Sequence, residues 1–483
     1  MRKLETYKTF ILPIISGLLL SLTLAPWNIR TLVWISFVPF FLFIFKKNIS
    51  TKEKLKGAFL TGFIYFLTVL WPLVSLDAWW WIPPNTWIWE YRVFLWTLCI
   101  VILAIYLTIT TFVLFTLSFL FLEQKKWSDF FIFPIIWASI ETIRTYSVFG
   151  LGWGNIGYNL YNTAHIAYLS YWINISGLAF FIIYINLSIS YVIQTYISTK
   201  KINYKILISA VSVFLIVLVG GYFTIKNYIP PKERKSVALI SINKKTEHIN
   251  TPEIYANIFK LTKEAAEKKN NIVVLPENTF PLFVLDEKTK KPDGYNIPQG
   301  KIAEMFDELI KISSDYNATS FIIGMHTQTN EKNYNSLVVL EGGKIVDIYH
   351  KRRPLPLSES VPSFLQSKHS EIITKGNADK KTVFTSGIET IPLICSEIIS
   401  TDLGKNKQKT IINISNDSVF ANNRGEKYNQ SIARMRAIEN RSFVIRSEKK
   451  GTSLVINPFG KIITPLEETD ILYSQINTDT SKF

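Results

Sequence analysis

Residues 93–122 read VFLWTLCIVILAIYLTITTFVLFTLSFLFL, and this stretch contains no charged side chain. An α-helix rises 1.5 Å per residue, so about 20 such residues cross the hydrocarbon core of a bilayer. The stretch therefore predicts a membrane-spanning helix. Six further apolar runs predict spans at about 9–25, 31–45, 57–76, 129–143, 165–196 and 204–226, which gives seven spans in total. The run at 129–143 is shorter and has Glu141 and Arg144 near its end. If this run is only half inserted, the total is six.

Lysine and arginine are distributed unevenly over the loops between these runs. They concentrate in the N-terminal segment and in the loops after the second, fourth and sixth runs. The alternate loops, such as DAWWWIPPNTWIWEYR at 77–92, are poor in lysine and rich in aromatic rings. Because basic loops stay in the cytoplasm, the N-terminus is predicted to be cytoplasmic and residues 229–483 to lie outside it. The aromatic loops fit either immersion in the outer leaflet or a plain interfacial aromatic belt.

The second half of the chain has the composition of a soluble domain. Short runs rich in β-branched residues, such as SVALISI, NIVVLPE, KIVDIYHK and IPLICSE, predict strands. Amphipathic patterns over 253–269, 302–315 and 426–440 predict helices. Such alternation predicts a layered α/β domain. We therefore expect a transmembrane domain at 1–228 and a soluble domain at 229–483.

Charge and cysteine content limit the function classes. The formal net charge is +16, which suits either nucleic-acid binding or membrane topology, and the clustering of lysine in short loops favours topology. Of the two cysteines, Cys99 lies inside an apolar run, so Cys395 is predicted to be a free thiol. The five histidines lack metal-ligand spacing. The string GWGNIG at 152–157 fits G-x-G-x-x-G, but no predicted strand precedes it, so we expect no dinucleotide site there.

Three polar residues each follow a predicted strand. Cys395 follows TIPLI, Glu277 ends NIVVLPE, and Lys351 comes after the strand 344–349. The carboxyl ends of strands are where α/β enzymes carry reactive groups. Each residue also has a plainer explanation: an inert buried thiol, a solvated loop carboxylate, and one member of a basic surface cluster with Arg352 and Arg353.

A Glu, a Lys and a Cys in this chain order, each at the end of a strand, resemble the nitrilase (carbon–nitrogen hydrolase) superfamily. The chain also contains the motifs SGLLLSLTLAPWN, PIIWASIETIR, LPENTF, HKRRPLPLSESVP, ICSE, NISNDS and ARMRAIENR. Together with the multi-span N-terminal half, these motifs resemble the apolipoprotein N-acyltransferase family. The resemblance implies a nitrilase-like α-β-β-α sandwich for residues 229–483.

The same resemblance implies a role for each candidate. Cys395 is the expected nucleophile, because a thiol attacks acyl carbonyls well and leaves readily from a thioester. Glu277 is the expected general base, and Lys351 the cation that stabilises the oxyanion of the transition state. Glu359 is expected to support or orient Lys351, and Glu397 to act behind the site.

The implied reaction moves a fatty acyl chain from a membrane phospholipid, through a cysteine thioester, to the N-terminal amine of a diacylglyceryl-cysteine apolipoprotein. The implied protein is a monomer in the bacterial inner membrane, with several spans and a catalytic domain facing the periplasm. It is expected to use no metal or cofactor and to bind no nucleic acid. Two alternatives stay open: a membrane-tethered amidohydrolase of the nitrilase type, and a non-catalytic lipoprotein-binding relative.

The sequence departs from the family pattern at several points. Ser396 stands where the family commonly has Tyr, and Val-Phe-Ala at 419–421 stands where it has Trp-Phe-Gly. A tryptophan expected within INKKTEHIN and a final membrane helix are both missing. These departures bear on the acyl donor and on acceptor docking more than on the reaction type. Three further residues fit the family motifs and are explained equally well by structural roles: Asn416, Arg434 and Arg436.

Overall fold

The structure is a computed structural model, and it describes residues 9–24, 27–74, 88–123, 127–146, 152–242, 251–280, 283–294, 299–355, 359, 373–400, 402, 408–417, 423–449, 451–464 and 469–478. The chain folds into two compact units. The first comprises Met1–Tyr228 with Val419–Ser431, and the second comprises Ile229–Ser418 with Ile432–Phe483. The break after Tyr228 lies where the sequence changes from apolar to mixed composition. The segment 419–431 groups with the first unit, although its sequence was assigned to the soluble domain.

The first unit is helical, because long apolar runs satisfy their backbone amides and carbonyls within a helix. A short π-helix at Ile109–Val113 joins the helices Ile88–Thr108 and Leu114–Leu122. The helices are α1 (Ile11–Leu22), α2 (Val38–Ile44), α3 (Thr51–Val74), α4 (Ile88–Thr108), α5 (Leu114–Leu122), α6 (Asp129–Tyr146), α7 (Ala164–Ala167), α8 (Ser170–Thr199) and α9 (Tyr204–Lys226).

The length and composition of these helices bear on the predicted spans. Two of the predicted spans, 9–25 and 31–45, form shorter apolar helices, and 129–143 forms α6, which carries buried Glu141 and Arg144. The total of seven spans stays a prediction. Within the described ranges, four segments are long and apolar enough to cross a membrane: Thr51–Leu73, Thr97–Leu122, Ser170–Thr199 and Tyr204–Lys226.

The loop that contains the GWGNIG string is held by charged side chains of α6. Arg144 Nη1 donates to the carbonyl of Trp153 at 3.0 Å, and the Ile156 N–H donates to Glu141 Oε1 at 3.1 Å. Gly154 has a φ of +80°, which glycine adopts without strain. No strand precedes the loop in the part of the chain that the structure describes. Its glycines therefore serve a turn packed against a helix.

The second unit is built on two sheets. The strands are β1 (Glu233–Ile240), β2 (Ile272–Val274), β3 (Phe283–Asp286), β4 (Lys291–Gly294), β5 (Ser320–Thr329), β6 (Lys332–Glu341), β7 (Lys344–His350), β8 (Val383–Thr385), β9 (Ile388–Ile394), β10 (Ile411–Asn416), β11 (Val444–Lys449), β12 (Leu454–Ile456) and β13 (Ile471–Thr478). The strand order of the larger sheet is β13-β1-β2-β5-β3-β4, with β6 and β7 attached through β5, and that of the smaller sheet is β12-β11-β10-β9-β8.

An apolar core lies between the two sheets. It combines residues of the larger sheet, such as Val274 and Ile322, with Ile394, Ile414 and Ile445 of the smaller sheet, all fully buried. Burying one such side chain contributes about 1.5–3 kcal/mol. This core fixes the distance between the sheets, and therefore between groups carried on different sheets.

Helices cover the outer faces of the sheets. The helices α10 (Thr251–Glu267) and α11 (Gln299–Asp315) bury Tyr255, Ile258 and Phe306 against the larger sheet. On the other side, Arg436 of α12 (Asn423–Asn440) donates to the carbonyl of Ile398 at 2.9 Å, just after β9. The order of layers is α-β-β-α, so the predicted sandwich is confirmed.

Candidate active site

Cys395 lies at the carboxyl end of β9, where a 3-10 turn (Cys395–Ile399) begins. Its φ of +50° is unusual for a residue with a side chain. Strained backbone of this kind clusters at functional sites, because the surrounding structure must hold it. The thiol lies close enough to the carboxylate of Glu277 for the two groups to affect each other's pKa. The candidate nucleophile and the candidate base are thus neighbours in the structure.

Glu277 is buried in the turn that follows β2 of the other sheet. The close approach of this turn to β5 requires a glycine at position 324. A Cβ there would lie 2.4 Å from the carbonyl oxygen of Pro276 and 2.6 Å from Cα of Glu277. The N–H of Thr279 donates to the Gly324 carbonyl at 2.9 Å. Contacts with strand β5 therefore fix the position of the Glu277 backbone.

Lys351 follows β7, and its side chain is only 1% exposed. Its Nζ lies 2.6 Å from Glu359 Oε2 and 3.8 Å from Glu277 Oε1. Its backbone N–H donates to the carbonyl of Asn335 at 2.8 Å. The ammonium group is thus held between two carboxylates beside the thiol.

Asn335 of β6 was not predicted from the sequence. Its Nδ2 donates to Glu277 Oε1 at 2.8 Å and to Glu359 Oε1 at 2.9 Å. The Asn335 amide therefore bridges the two carboxylates and orients both. The only signal in the sequence is a polar residue next to the apolar run SLVVLE, which alone does not distinguish a site residue from an ordinary strand start.

Glu397 is completely buried and accepts backbone and side-chain hydrogen bonds. Its carboxylate accepts from the N–H groups of Arg352 at 2.7 Å, Arg353 at 3.0 Å and Ile394 at 2.9 Å. It also accepts from the hydroxyl of Tyr349 at 2.9 Å. One side chain therefore ties the segment after Lys351 to the strand that ends at Cys395.

The three motif residues beyond these five have less direct positions. Arg436 holds the turn after Cys395 by its bond to Ile398, and it pairs with Glu439. Arg434 donates to the carbonyl of Gly460 at 2.5 Å. Asn416 ends β10 and is partly buried. These placements agree with structural roles for the two arginines.

Several sequence departures lie outside the described residues: Val419, Phe420 and Ala421, and all of INKKTEHIN except its first residue. The aromatic loop at 77–92 is described only from residue 88. Ser396 is partly buried in the turn after Cys395. Among the described residues, no group of three His, Cys, Asp or Glu side chains can hold a metal ion.

The two glutamates beside Lys351 have opposite pKa shifts. Burial raises the pKa of Glu277, although the Lys351 ammonium opposes the shift. Burial would also raise the pKa of Glu359, but its ion pair and hydrogen bond with Lys351 hold the pKa below the usual value. Glu359 is therefore the permanent counterion, and Glu277 is the carboxylate better suited to accept a proton.

The thiol and the lysine complete this arrangement. Burial raises the pKa of the Cys395 thiol, and Glu277 raises it further, so the thiol is neutral at rest. Burial lowers the pKa of Lys351, but Glu359, Cys395 and Glu277 together raise it above its usual value, so the side chain stays charged. A neutral thiol needs a base as it attacks, and a fixed cation can stabilise the oxyanion that forms.

This fold and this grouping of a thiol, a carboxylate and an ammonium are typical of α/β enzymes that use cysteine as a nucleophile. Residues 236–482, just over half of the chain, match the family model Carbon-nitrogen hydrolase. The chain therefore belongs to the carbon–nitrogen hydrolase family. Residues 16–188 match the model Apolipoprotein N-acyltransferase N-terminal domain.

Relatives extend over nearly the whole chain. An apolipoprotein N-acyltransferase of Aquifex aeolicus is 25% identical, covering 96% of this chain and 97% of its own. That of Rickettsia bellii is 25% identical, covering 97% and 91%. Among solved structures, Nit3 of Saccharomyces cerevisiae, a nitrilase superfamily member, is 18% identical with a TM-score of 0.37, covering 51% of this chain and 91% of its own. The predicted resemblance is confirmed, and the family with the four apolar helices indicates an inner-membrane acyltransferase.

Proposed function

We propose that this protein transfers a fatty acyl chain from a membrane phospholipid to the N-terminal amine of a diacylglyceryl-cysteine apolipoprotein. Support comes from the presence of both matched domains on one chain and from relatives of that name over almost its full length. The observation that carries the chemistry is the contact between the Cys395 thiol and Glu277 beside the Lys351 ammonium.

In the first half-reaction, Cys395 Sγ attacks the ester carbonyl carbon of the phospholipid while Glu277 accepts the thiol proton. A tetrahedral oxyanion forms, and Lys351 stabilises its charge. The oxyanion collapses as the ester C–O bond breaks. Glu277 returns its proton to the departing alkoxide, which leaves as a lysophospholipid, and the acyl chain stays on Cys395 as a thioester.

In the second half-reaction, the neutral amine of the acceptor attacks the thioester carbonyl. Glu277 accepts a proton from the attacking nitrogen, and Lys351 again stabilises the oxyanion. The C–S bond breaks as the amide C–N bond is completed, and the proton on Glu277 returns to the sulfur. Both half-reactions use the same three groups in the same positions, so no rearrangement of the site is needed between them.

The setting in the membrane belongs to the same proposal. The distribution of lysines over the loops supports a cytoplasmic N-terminus and a catalytic domain that faces the periplasm. Both substrates then reach the site from the outer leaflet. Lateral entry avoids moving acyl chains through water, which costs about 0.8 kcal/mol per CH₂ group.

An amidohydrolase is the second candidate, because the matched family is named for carbon–nitrogen hydrolysis. The two candidates differ in what attacks the thioester: an amine in the transferase and water in the hydrolase. The four apolar helices favour lipid substrates.

Intact-protein mass spectrometry after incubation with a diacyl phospholipid in detergent separates these functions. The transferase predicts a mass gain of one acyl chain on Cys395 that is absent in Cys395→Ala and disappears when a diacylglyceryl peptide is added. An adduct that decays equally fast without the peptide would indicate a hydrolase. A folded protein that forms no adduct with any phospholipid would point to the non-catalytic alternative.

A further inference from the structure

Strand β11 carries more charge than its position in the interior explains. It reads VIRSEK at Val444–Lys449, lies between β10 and β12 in the smaller sheet, and its residues Arg446, Ser447 and Glu448 are 0% exposed. Charged side chains are expensive to bury unless each one has partners. The hydrogen-bond partners of the side chains of β11 lie on both sheets of the sandwich.

One face of β11 is directed at the larger sheet. Ser447 Oγ contacts the carbonyl oxygens of Ile240 and Val274, at 3.3 Å each, where β1 and β2 end. Two residues further, on the same face, Lys449 Nζ donates to the carbonyl of Asn278 at 2.8 Å. Lys449 is partly buried. A side chain of the smaller sheet is therefore hydrogen-bonded to the turn that carries Glu277.

That turn has a conformation that needs support. Asn278, directly after Glu277, has a φ of +51°, and such strain persists only when surrounding contacts hold it. On the side of the larger sheet, Thr279 Oγ1 donates to the carbonyl of Pro276 at 2.6 Å. Lys449 supplies the contact from the opposite sheet. This bond joins the backbone of the Glu277 turn to the opposite sheet.

Side chains on the other face of β11 are hydrogen-bonded to β10, which is bonded in turn to β9, the strand before Cys395. Arg446 donates to Asp417 Oδ2 at 3.0 Å, just after β10, and also contacts Asn413 of β10. Asn413 Nδ2 donates in turn to the carbonyl of Leu393 at 3.0 Å, two residues before Cys395. A path of buried hydrogen bonds thus leads from β11 through β10 to β9, the strand that ends next to Cys395.

We propose that Lys449 is a positioning residue that sets the separation between Glu277 and Cys395 by linking the Glu277 turn to the strand β11. The inference rests on the proposed roles of Glu277 and Cys395. A lysine suits the position because its long stem reaches the other sheet and its ammonium makes a charge-assisted bond to the carbonyl.

The test uses the purified full-length protein in detergent and needs no lipid substrate. The rate of alkylation of Cys395 by iodoacetamide is measured against pH, with the site located by mass spectrometry. Lys449→Met should lower the rate at neutral pH roughly tenfold, since small misplacements of a base have large kinetic effects. Its pH profile should approach that of Glu277→Gln. Lys449→Arg, which keeps a charged donor, should restore most of the rate.

Lys409→Met is the matched control, because Lys409 pairs with Glu389 near the amino ends of β9 and β10, away from the site. It should alkylate like the wild-type protein. Wild-type rates in Lys449→Met, or an equal loss in Lys449→Arg, would overturn the proposal. If Lys449→Met does not fold, Lys449→Gln replaces it, and a wild-type profile there would have the same meaning. Failure of the proposed function shows separately, as a wild-type protein that alkylates at Cys395 but forms no acyl adduct with phospholipid.

Discussion

The helical unit and the sandwich unit differ in where they place their large apolar side chains. On the helices, large apolar side chains such as Ile143, Ile208 and Ile216 are 70%, 62% and 69% exposed. In the sandwich, the apolar residues fill the space between sheets, and the charges of Glu277, Lys351 and Arg446 lie inside. The exposed apolar surface of the helices suits contact with lipid, whereas the sandwich buries charged side chains, among them those of the candidate active site.

Glu277→Gln is the strongest test of the idea that buried charge in the sandwich serves catalysis. Gln keeps the size of Glu but cannot accept the thiol proton. A general base contributes about 10²–10⁴-fold, so acyl transfer should fall by about 10³-fold. The measurement is the rate of Cys395 acyl-adduct formation. Glu389→Gln, a change in a carboxylate at the amino end of β9, should leave the rate unchanged, and similar losses in both variants would break the comparison.

Two lysine substitutions compare the outer surface of the helical unit with that of the sandwich unit. Ile216→Lys in α9 should destabilise the membrane-inserted protein by about 2.5–3.5 kcal/mol, the cost of a charge near the centre of a span. Val346→Lys on β7, where the side chain is 50% exposed, should change stability by less than about 0.5 kcal/mol. Yield in the membrane fraction and Tm in detergent report both effects. Equal tolerance at the two positions would contradict a lipid-facing surface on α9.

Asn335→Ala examines a neutral group within the charged interior. Loss of its amide removes one hydrogen bond from each of Glu277 and Glu359, which costs about 1–3 kcal/mol for a buried group. The acylation rate should fall by roughly tenfold or more. Asn333→Ala, at a partly exposed position on the same strand, serves as the control. An unchanged rate in Asn335→Ala would show that the hydrogen bonds of Asn335 are not needed to orient the two carboxylates.

The pH profile gives the smallest and most specific effect. Because burial raises the pKa of Glu277, its carboxyl becomes protonated at a higher pH than a free glutamate and then cannot act as a base. Adduct formation should therefore fall as the pH is lowered through this raised pKa, and rise again on return. Glu277→Gln should lose this acidic limb. A wild-type midpoint at the usual glutamate pKa, about 4.3, would contradict a buried base.

Much of the sandwich was predictable because local patterns determine it. The runs around Glu277, Lys351 and Cys395 are apolar strands followed by a polar residue, and the structure places all three together. The helix predicted at 302–315 is found at Gln299–Asp315. Strand β13 was not predicted, because its alternation of apolar and polar residues is irregular and its position depends on pairing with the distant β1.

Contacts between distant segments explain what the sequence could not reveal. Asn335 has no motif of its own, and its role depends on the side chains of Glu277 and Glu359. Lys449 lies 171 residues from its partner Asn278, and no local pattern indicates such a pair. The supporting roles predicted for Glu359 and Glu397 came from family resemblance. Their hydrogen bonds agree with those roles, which stay predictions.

The link from Lys449 to Asn278 has a consequence for the time at which the thiol becomes reactive. A ribosome makes the Glu277 turn first, then Cys395, and β11 only later, so the last contact of the site is added near the end of synthesis. Domains generally fold as units. On the proposed role of Lys449, a truncated chain that ends before β11 lacks the bond to Asn278, so its Cys395 would react with alkylating agents as an ordinary thiol and would not form the acyl adduct.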